Sequence, residues 1–241
     1  MRLDGKIAIV TGASTGIGRS IALAFAAAGA KTVVAARSAD KLAALVSEIG
    51  SKGGSALAVA TDVTDETQVE ALFDRCREAF GEPDVLVNNA GIADHTPTAE
   101  LTLARWQEVQ AINITSVFLC SRAALRSMMP RRRGRIINIG SISAKVPRPN
   151  TAAYTASKFA LEGLTRSLAL DARPHGIAVS MLHPGSTTSM LVPGVTDVPR
   201  SGSMNPDDVA RLALLMASLP DDVNLYESVM LPVEMPFLGR G

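Results

Sequence analysis

The sequence is poor in aromatic side chains, in cysteine and in net charge. Aromatic residues make up 4% of its 241 positions, and its only cysteines are Cys76 and Cys120. Two cysteines in helical patterns do not form a disulfide framework and are typical of small buried hydrophobic residues. A net charge of +1 argues against nucleic acid or an anionic membrane surface as the main partner. The basic run Arg131–Arg133 is expected to be a solvated loop.

Long hydrophobic runs and metal-binding patterns are also missing. No apolar stretch reaches the length of a membrane span. The first six residues lead directly into a strand, so no signal peptide is expected. The three histidines, His95, His175 and His183, lack metal-ligand spacing, and no metal is expected. These features predict a cytoplasmic protein whose partner is a small molecule.

Aliphatic residues, in contrast, are abundant and periodic. Hydrophobic residues amount to 47%, enough for a large core of Ala, Val, Ile and Leu. Short apolar runs, beginning with Ile7–Val10 and Thr32–Ala36, alternate with amphipathic stretches such as Arg19–Ala28. This alternation predicts one α/β domain over residues 1–241, with a doubly wound, seven-stranded parallel sheet and helices on both faces. The Pro-, Gly- and Ser-rich stretch 186–205 is predicted to be a mobile flap.

A glycine-rich loop joins the first predicted strand to the first helix. Gly12, Gly16 and Gly18 follow the strand with the spacing Gly-x-x-x-Gly-x-Gly. A strand, a glycine loop and a helix in succession indicate a nucleotide site. Gly12 would allow a tight turn, and Gly16 and Gly18 would let the backbone approach a pyrophosphate and the helix pack on the strand. The helix N-terminus would attract that pyrophosphate.

The end of the second strand indicates which dinucleotide is preferred. Arg37 and Ser38 stand where an acidic residue would bind the free 2′-hydroxyl of NAD. An arginine there pairs with the 2′-phosphate of NADP instead. The sequence therefore predicts NADP(H) as the preferred cofactor, with NAD(H) possible. The alternative is a surface arginine that simply ends a strand.

Polar residues end or interrupt three further buried elements. Asp62, after the third strand, is interpreted as a cap or as the acceptor of the adenine amino group. Asn88–Gly91 ends the fourth strand in what should be a rigid turn. Asn113 lies within an apolar helical stretch, Leu103–Met129, and must be hydrogen-bonded there, either structurally or to a water.

The predicted chemistry is carried by a tyrosine and a lysine on one helix. Tyr154 and Lys158 are four residues apart and share a helix face. The ammonium would lower the pKa of the phenol toward working pH, and the phenol could then transfer a proton. Ser141 lies at the carboxyl end of the fifth strand, where sites of open α/β sheets collect. Taken alone, the Tyr-x-x-x-Lys spacing also fits an ordinary amphipathic helix.

In order and spacing, and over nearly the whole chain, these motifs resemble those of the short-chain dehydrogenase/reductase family. The resemblance implies that Tyr154 is the general acid/base, and that Lys158 lowers its pKa and binds the nicotinamide ribose. It also implies that Ser141 polarises the substrate carbonyl and that Asn113 holds a water in the proton relay. The motifs that carry it are Thr11-Gly12-x-x-x-Gly16-x-Gly18, Asn88-Asn89-Ala90-Gly91, Asn113, Ser141, Tyr154-x-x-x-Lys158 and Pro184-Gly185.

The resemblance also implies which residues contact the two ligands. Substrate would contact Ser141, Ser143 and Tyr154. Tyr154 and Lys158 would also contact cofactor. Further cofactor contacts are implied at Gly12, Ser14, Thr15, Gly16, Ile17, Gly18, Arg37, Ser38, Asp62, Val63, Asn89, Ala90, Gly91, Pro184, Gly185 and Thr187.

The activity implied is NADP(H)-dependent hydride transfer between nicotinamide and a ketone or secondary alcohol. The C-terminal stretch around Met230–Val233 lacks the common Asp-Gly-Gly ending and resembles a branch that acts on 3-hydroxy acids and serine. A 3-hydroxy acid or 3-oxoacyl substrate is therefore the alternative. The resemblance further implies a homodimer or homotetramer, formed through the helices around 111–129 and 151–173.

Three other classes of protein fit parts of the pattern. Extended epimerase/dehydratase relatives share Tyr-x-x-x-Lys, but they are longer and differ in glycine spacing. A non-catalytic NADP-binding regulator would keep the glycine loop and lose a catalytic residue, whereas all four candidates are present here. A Rossmann-like methyltransferase would not need the Tyr-x-x-x-Lys pair.

Overall fold

A computed structural model describes residues 1–188 and 202–236, which form a parallel sheet flanked by helices. Its strands run in the order β3-β2-β1-β4-β5-β6-β7, so the predicted seven-stranded, doubly wound fold is confirmed. The strands are β1 (Ile7–Thr11), β2 (Lys31–Ala36), β3 (Ser55–Ala60), β4 (Val85–Asn88), β5 (Gly134–Ile139), β6 (Ile177–Pro184) and β7 (Glu227–Met230).

Helices connect successive strands. The first two helices and the last pack on one face of the sheet, and the third, fifth and sixth pack on the other, because right-handed crossovers change face where the strand order reverses. A π-helical segment, Ala111–Thr115, separates α4 from α5, so the predicted stretch Leu103–Met129 is nearly continuous. The helices are α1 (Gly16–Ala27), α2 (Ala39–Ser51), α3 (Glu66–Ala79), α4 (Leu103–Gln110), α5 (Ser116–Met128), α6 (Ala152–Ala172) and α7 (Pro206–Ser218).

Two hydrophobic cores lie on opposite faces of the sheet because successive side chains of a strand point to opposite faces. In β1, Ala8 and Val10 pack in the core formed with α1, α2 and α7. Ile7 and Ile9 pack in the core formed with α3, α5 and the end of α6. Both cysteines lie in this second core, where burial raises the pKa of each thiol to about 12. They are the buried hydrophobic residues that the sequence predicts.

The sheet reverses its winding direction at β1, which is hydrogen-bonded to β2 on one side and to β4 on the other. Ligands of open α/β sheets bind in the crevice outside the carboxyl ends of strands at such a switch point. A buried polar chain crosses the sheet nearby. Asn88 Nδ2 donates to Asn138 Oδ1 at 2.9 Å, and Asn138 Nδ2 donates to Thr165 Oγ1 on α6 at 2.9 Å. This chain ties α6 to the strands that end at the crevice.

Other sequence predictions concern surfaces and segments away from the crevice. Arg131 and Arg133 of the basic run lie 3.3 and 3.6 Å from the carboxylate of Asp84, so the run is partly ion-paired.

No helix in the described ranges is long and apolar enough to cross a membrane. Most of the predicted flap, 189–201, lies outside the described residues. Its two ends are joined by a bridge between Thr187 and Met204.

Candidate active site

A cavity of about 800 Å³ opens at the carboxyl ends of the central strands. It brings together nearly all the residues that the sequence singles out, from Gly12 after β1 to Thr187 after β6. Only Gly18 and Asn113 of the predicted site residues do not line it. The predicted residues that do are Gly12, Ser14, Thr15, Gly16, Ile17, Arg37, Ser38, Asp62, Val63, Asn89, Ala90, Gly91, Ser141, Ser143, Tyr154, Lys158, Pro184, Gly185 and Thr187.

The glycine loop is held against the end of β4. Gly12 has a φ of +63°, and a Cβ there would lie 2.8 Å from the Cα of Ala90. A Cβ on Gly18 would lie 2.3 Å from Asn89 Nδ2 and 2.4 Å from the carbonyl oxygen of Gly12. Gly18 is therefore required for close packing of α1, as predicted, and its approach to a pyrophosphate stays a prediction.

Asn89 and Thr11 fix this contact through hydrogen bonds. Asn89 Nδ2 donates to the carbonyl oxygens of Thr11 and Gly12 at 3.0 and 3.1 Å. The Thr11 hydroxyl accepts from the amides of Asn89 and Ala90 at 3.1 and 3.2 Å, and donates to Val87. These bonds hold the segment after β4 against the neighbouring strand end, although residues 89–91 do not form the predicted turn.

The N-terminus of α1 faces the cavity and is suited to an anion. Its N-cap residue, Thr15, makes no side-chain capping bond, and its first turn contains no acidic residue. The first amides of a helix lack intrahelical partners, and they carry the positive end of the helix dipole. The loop residues Ser14 and Thr15 line the cavity beside these amides, which can therefore receive a phosphate group.

One end of the cavity carries an exposed arginine. Arg37 follows β2 and lines the cavity next to Ser38 and Asp62. The Asp62 carboxylate accepts from the amide and hydroxyl of Thr64 at 2.9 and 2.7 Å. These bonds, helped by the charge of Arg37, lower the pKa of Asp62. Asp62 thus orders the turn before α3, while the capping residue of that helix is Asp65.

The other end of the cavity is formed by the turn that follows β5. Ser141 Oγ accepts from the amide of Ser143 at 3.1 Å, which leaves the hydroxyl hydrogen of Ser141 available to another acceptor. Ser141 lies beside Tyr154. Burial raises the pKa of Tyr154, and hydrogen bonding of Ser141 to the phenol acts to lower it. Ser141 and Tyr154 are both at most 9% exposed, so their hydroxyl groups meet in a largely water-excluded part of the cavity.

Tyr154 and Lys158 lie on the same face of α6, as predicted, but their electrostatics differ from the prediction. Burial raises the pKa of Tyr154, and its hydrogen bond with Ser141 and the charge of Arg148 offset this only in part. Burial lowers the pKa of Lys158 to about 8. The Lys158 ammonium donates to the carbonyl oxygen of Ile139 at 3.0 Å and lies 5.6 Å from the Tyr154 ring centroid. The expected lowering of the phenol pKa by Lys158 is therefore not found, because desolvation dominates.

Asn113 lies in the π-helical segment and is almost fully buried. Its Oδ1 accepts from the amide of Ile92 at 2.9 Å, and its Nδ2 donates to the carbonyl oxygen of Ile92 and to Ser157 Oγ. The sequence left two roles open for Asn113, a structural hydrogen bond or a bond to a water. These contacts fit the structural role. Asn113 lies just behind the cavity wall and joins the segment that follows β4 to α6.

Two residues around the site, Arg148 and His183, were given no role by the sequence analysis. Arg148 lines the cavity, and its charge acts on Tyr154. His183 is fully buried at the end of β6, with Nδ1 2.9 Å from the carbonyl oxygen of Ser141. In the sequence, the only feature that marks His183 is its position directly before Pro184-Gly185. Its contact with Ser141 joins two different strands, and the spacing of histidines along the chain does not reveal such a contact.

Comparison with known proteins agrees with this geometry. A family profile described as short chain dehydrogenase matches residues 6–197. The chain belongs to the short-chain dehydrogenase family. Its relatives include the 3-oxoacyl-acyl-carrier-protein reductase FabG of Escherichia coli (strain K12), 37% identical over 88% of this chain and 86% of that protein. They also include D-threitol dehydrogenase of Mycolicibacterium smegmatis, 35% identical over 90% of this chain and 87% of that protein.

Solved structures of the family are also similar. An alcohol dehydrogenase from the archaeon Thermococcus sibiricus, complexed with 5-hydroxy-NADP, superposes with a TM-score of 0.91 at 28% identity. A metagenomic short-chain oxidoreductase in complex with NADP superposes with a TM-score of 0.85 at 36% identity. Each comparison covers 96% of this chain and 98% of the other. The likeness therefore extends over the whole cavity.

Proposed function

We propose that this short-chain dehydrogenase is an NADP(H)-dependent oxidoreductase that interconverts a carbonyl compound and a secondary alcohol. The observation that carries the proposal is one cavity with Arg37 and the α1 N-terminus at one end and Ser141, Tyr154 and Lys158 at the other. The first set is suited to phosphates, and the second is suited to proton transfer. Relatives include reductases and dehydrogenases, and two similar structures hold NADP or a derivative of it.

The residues along the cavity fit NADP. The uncapped amides of α1 would bind the pyrophosphate, and Arg37 would pair with the 2′-phosphate. Asp62 and Val63 would lie beside the adenine, and Asn89–Gly91, Lys158 and Thr187 would lie along the nicotinamide half. When bound, the cofactor supplies or receives the hydride.

The residues of this chain supply orientation and the proton. The hydroxyl groups of Ser141 and Tyr154 would both donate to the substrate carbonyl oxygen, on which negative charge grows during reduction. The raised pKa of Tyr154 keeps the phenol protonated at neutral pH, so it is ready to act as the acid. In the oxidative direction Tyr154 acts as the base, and turnover should improve as pH rises.

Lys158 and Asn113 would support this proton transfer. The pKa of Lys158 is about 8, so its ammonium can exchange a proton near physiological pH. Both amide hydrogens of Asn113 are used by Ile92 and Ser157, so its side chain could hold a relay water only through its oxygen. Asn113 therefore contributes mainly by positioning the cavity wall.

The proposal is tested first by calorimetric titration with NADPH and with NADH. We expect NADPH to bind more tightly, and we expect NADPH oxidation when ketones or 3-oxo acids are added. A preference for NADH would remove the assigned role of Arg37. Failure to bind either nucleotide, in protein that is folded by circular dichroism, would contradict the proposed function.

A second candidate, reduction of 3-oxo acids, is favoured by Arg148. This arginine lies in the cavity wall near Tyr154, and no ion pair to it is found within residues 1–188 and 202–236. A guanidinium close to Tyr154, with no ion-pair partner in the described part of the chain, would suit a carboxylate or thioester-like acceptor on the substrate. FabG of Escherichia coli, a relative, is named as a 3-oxoacyl reductase.

The role of Arg148 is tested with two substrates that differ in one charge. Arg148→Met should lower kcat/KM for 3-oxobutanoate about tenfold or more relative to the methyl ester of the same acid, because a charge-assisted bond is lost. Since Arg148 also affects Tyr154, only the ratio between the two substrates isolates recognition. An unchanged ratio would leave the unspecified ketone as the better assignment.

We also propose that the protein self-associates and acts in the cytoplasm. Phe118 on α5 and Phe159 on α6 are 44% and 47% exposed, and Leu170 further along α6 is 68% exposed. Apolar side chains on two adjacent helices favour an isologous contact with a second copy. Sedimentation velocity of the wild type and of Phe159→Glu tests this, and a monomeric wild type would contradict it.

A further inference from the structure

A cluster of titratable residues, three of them partly buried and one fully buried, lies directly behind Ser141, outside the cavity. It consists of Lys145, Glu162, His183 and Glu227, and it is called the rear cluster below. His183 Nδ1 lies 2.9 Å from the carbonyl oxygen of Ser141. A carbonyl oxygen only accepts hydrogen bonds, so Nδ1 must carry the hydrogen. The contact therefore fixes one tautomer of the imidazole.

The opposite nitrogen of the imidazole points into the cluster. His183 Nε2 lies 3.4 Å from Glu227 Oε1, and this buried nitrogen has no hydrogen-bond partner among the described residues. The Lys145 ammonium is 2.8 Å from Glu162 Oε2 and also contacts Glu227. Burial and Lys145 lower the pKa of His183 more than Ser141, Glu227 and Glu162 raise it, so the ring is neutral at pH 7.

The rear cluster joins three parts of the chain that carry the site. Lys145 directly follows the short turn Ile142–Ala144 after Ser141. Glu162 lies on α6 two turns beyond Tyr154, and Glu227 is the first residue of β7. The ion pairs of Lys145 therefore hold the Ser141 turn to both neighbouring elements, while His183 holds Ser141 itself.

Gly140 allows the imidazole to lie close to this turn. A Cβ on Gly140 would lie 2.8 Å from His183 Nδ1 and 2.7 Å from Met181 Cε. The backbone at Gly140, next to Ser141, is thus in direct contact with the imidazole ring of His183. The Ser141 carbonyl also accepts from the amide of Ala144 at 3.0 Å, so a ring hydrogen bond and a turn hydrogen bond converge on one oxygen.

We propose that His183 is a positioning residue for the reaction, acting through the backbone carbonyl of Ser141. Its Nδ1–H fixes the orientation of the Ser141 peptide, so that the Ser141 hydroxyl faces the phenol of Tyr154. A displacement of about 1 Å at a reacting group can cost about 10²-fold in rate. This inference rests on the proposed function, because the reaction it supports is the one assigned above.

A cation site is the competing interpretation of the same side chains. Ligand atoms of Glu162, His183 and Glu227 lie within 4.8 Å of one another, as a metal would require. The Lys145 ammonium, however, contacts both carboxylates. A divalent ion would have to displace this charge, so the structure favours an internal ion pair over a metal.

Two amide variants of His183 separate the two ring nitrogens. In His183→Asn the amide nitrogen occupies the place of Nδ1 and can still donate to Ser141. In His183→Gln it occupies the place of Nε2 and faces Glu227. We expect His183→Asn to keep kcat within about threefold, and His183→Gln and His183→Leu to lose about 10- to 100-fold. The NADPH dissociation constant should change little, and His175→Asn serves as a control away from the site.

The readouts distinguish positioning from stability and from metal binding. All assays are run well below the lowest Tm of the series. Equal losses in His183→Asn and His183→Gln, or a full kcat in every folded variant, would overturn the proposal. A bound metal found by elemental analysis, with loss of kcat on chelation, would assign the rear cluster to a cation instead.

One readout does not depend on turnover. ¹⁵N NMR of the three histidine side chains reports which ring nitrogen carries the hydrogen. We expect the Nδ1–H tautomer for His183 at pH 7, and the Nε2–H tautomer would overturn the proposal. If the tautomer is as expected but the wild type does not reduce carbonyl compounds with NADPH, the proposed function is wrong, whereas the hydrogen bond from His183 to Ser141 is still supported.

Discussion

The two ends of the cavity are built in different ways. At the α1 end, the groups suited to phosphate are backbone amides and the exposed side chain of Arg37. At the other end, the reactive groups are side chains that are nearly buried, with Tyr154 9% and Lys158 5% exposed. Burial shifts the pKa values of both reactive groups, upward for Tyr154 and downward for Lys158.

This difference predicts how each end responds to substitution. A charge at an exposed position is screened by water and salt, so its change should alter cofactor preference at little cost to stability. A buried titratable group should affect both turnover and pH-dependent stability. Four substitutions test this difference between the two ends.

The largest effect is expected for Tyr154→Phe. Loss of the phenol removes the proton donor, so kcat should fall by about 10³- to 10⁴-fold, while NADPH affinity is nearly unchanged. Steady-state kinetics and calorimetric titration measure the two quantities. Tyr226→Phe changes the only other tyrosine and should retain full activity. Near-normal turnover in Tyr154→Phe would remove this residue from the mechanism.

The second effect is expected for Ser141→Ala. Its kcat should fall about 10²-fold, because one hydrogen-bond donor to the developing oxyanion is lost. Cofactor binding should weaken less than turnover. Ser167→Ala, on the exposed surface of α6, provides a matched control. If NADPH binding weakened more than kcat fell, Ser141 would have a structural role rather than a catalytic one.

Lys158→Met should change how stability depends on pH. The pKa of Lys158 is about 8 in the folded protein and 10.5 in its unperturbed state. Between these values the unfolded chain binds more protons than the folded one, so wild-type stability gains from rising pH. The free energy of unfolding of the wild type, relative to Lys158→Met, should rise by up to about 3 kcal/mol over this window.

Urea unfolding of both proteins at pH 7.5, 9 and 10.5 (about one and a half units apart) measures this difference. Subtracting the two free energies of unfolding cancels the contributions of other groups that titrate in the same pH range. A constant difference across the window would mean that burial does not lower the Lys158 pKa.

The smallest effect is expected for Arg37→Asp. The ratio of NADPH to NADH affinity should fall by about tenfold or more, because a charge-assisted bond to the 2′-phosphate is replaced by repulsion. The Tm should stay nearly constant, since Arg37 is exposed. Arg173→Asp makes the same charge change at another exposed site and should leave the ratio unaltered. An unchanged ratio in Arg37→Asp would contradict the role of Arg37.

Local sequence patterns were sufficient for much of this site. Residues such as Ser14, Arg37 and Ser141 lie shortly after the ends of strands, and the carboxyl ends of parallel strands meet at one edge of the sheet. The four-residue spacing of Tyr154 and Lys158 likewise places both on one helix face. The same patterns identified Gly18 and Asn113, yet these two residues do not line the cavity: Gly18 packs against Asn89, and Asn113 bonds to Ile92 and Ser157.

Short-range periodicity and motif spacing were enough to predict the order of strands and helices, the resemblance to the family, and many of the residues that line the cavity. The tertiary structure sets which charges act on Tyr154 and which residues lie behind Ser141. The pKa of a buried group depends on its desolvation and on neighbours from distant segments. His183 and Glu227 come to Ser141 through the pairing of β6 with β5 and β7, which no local spacing encodes.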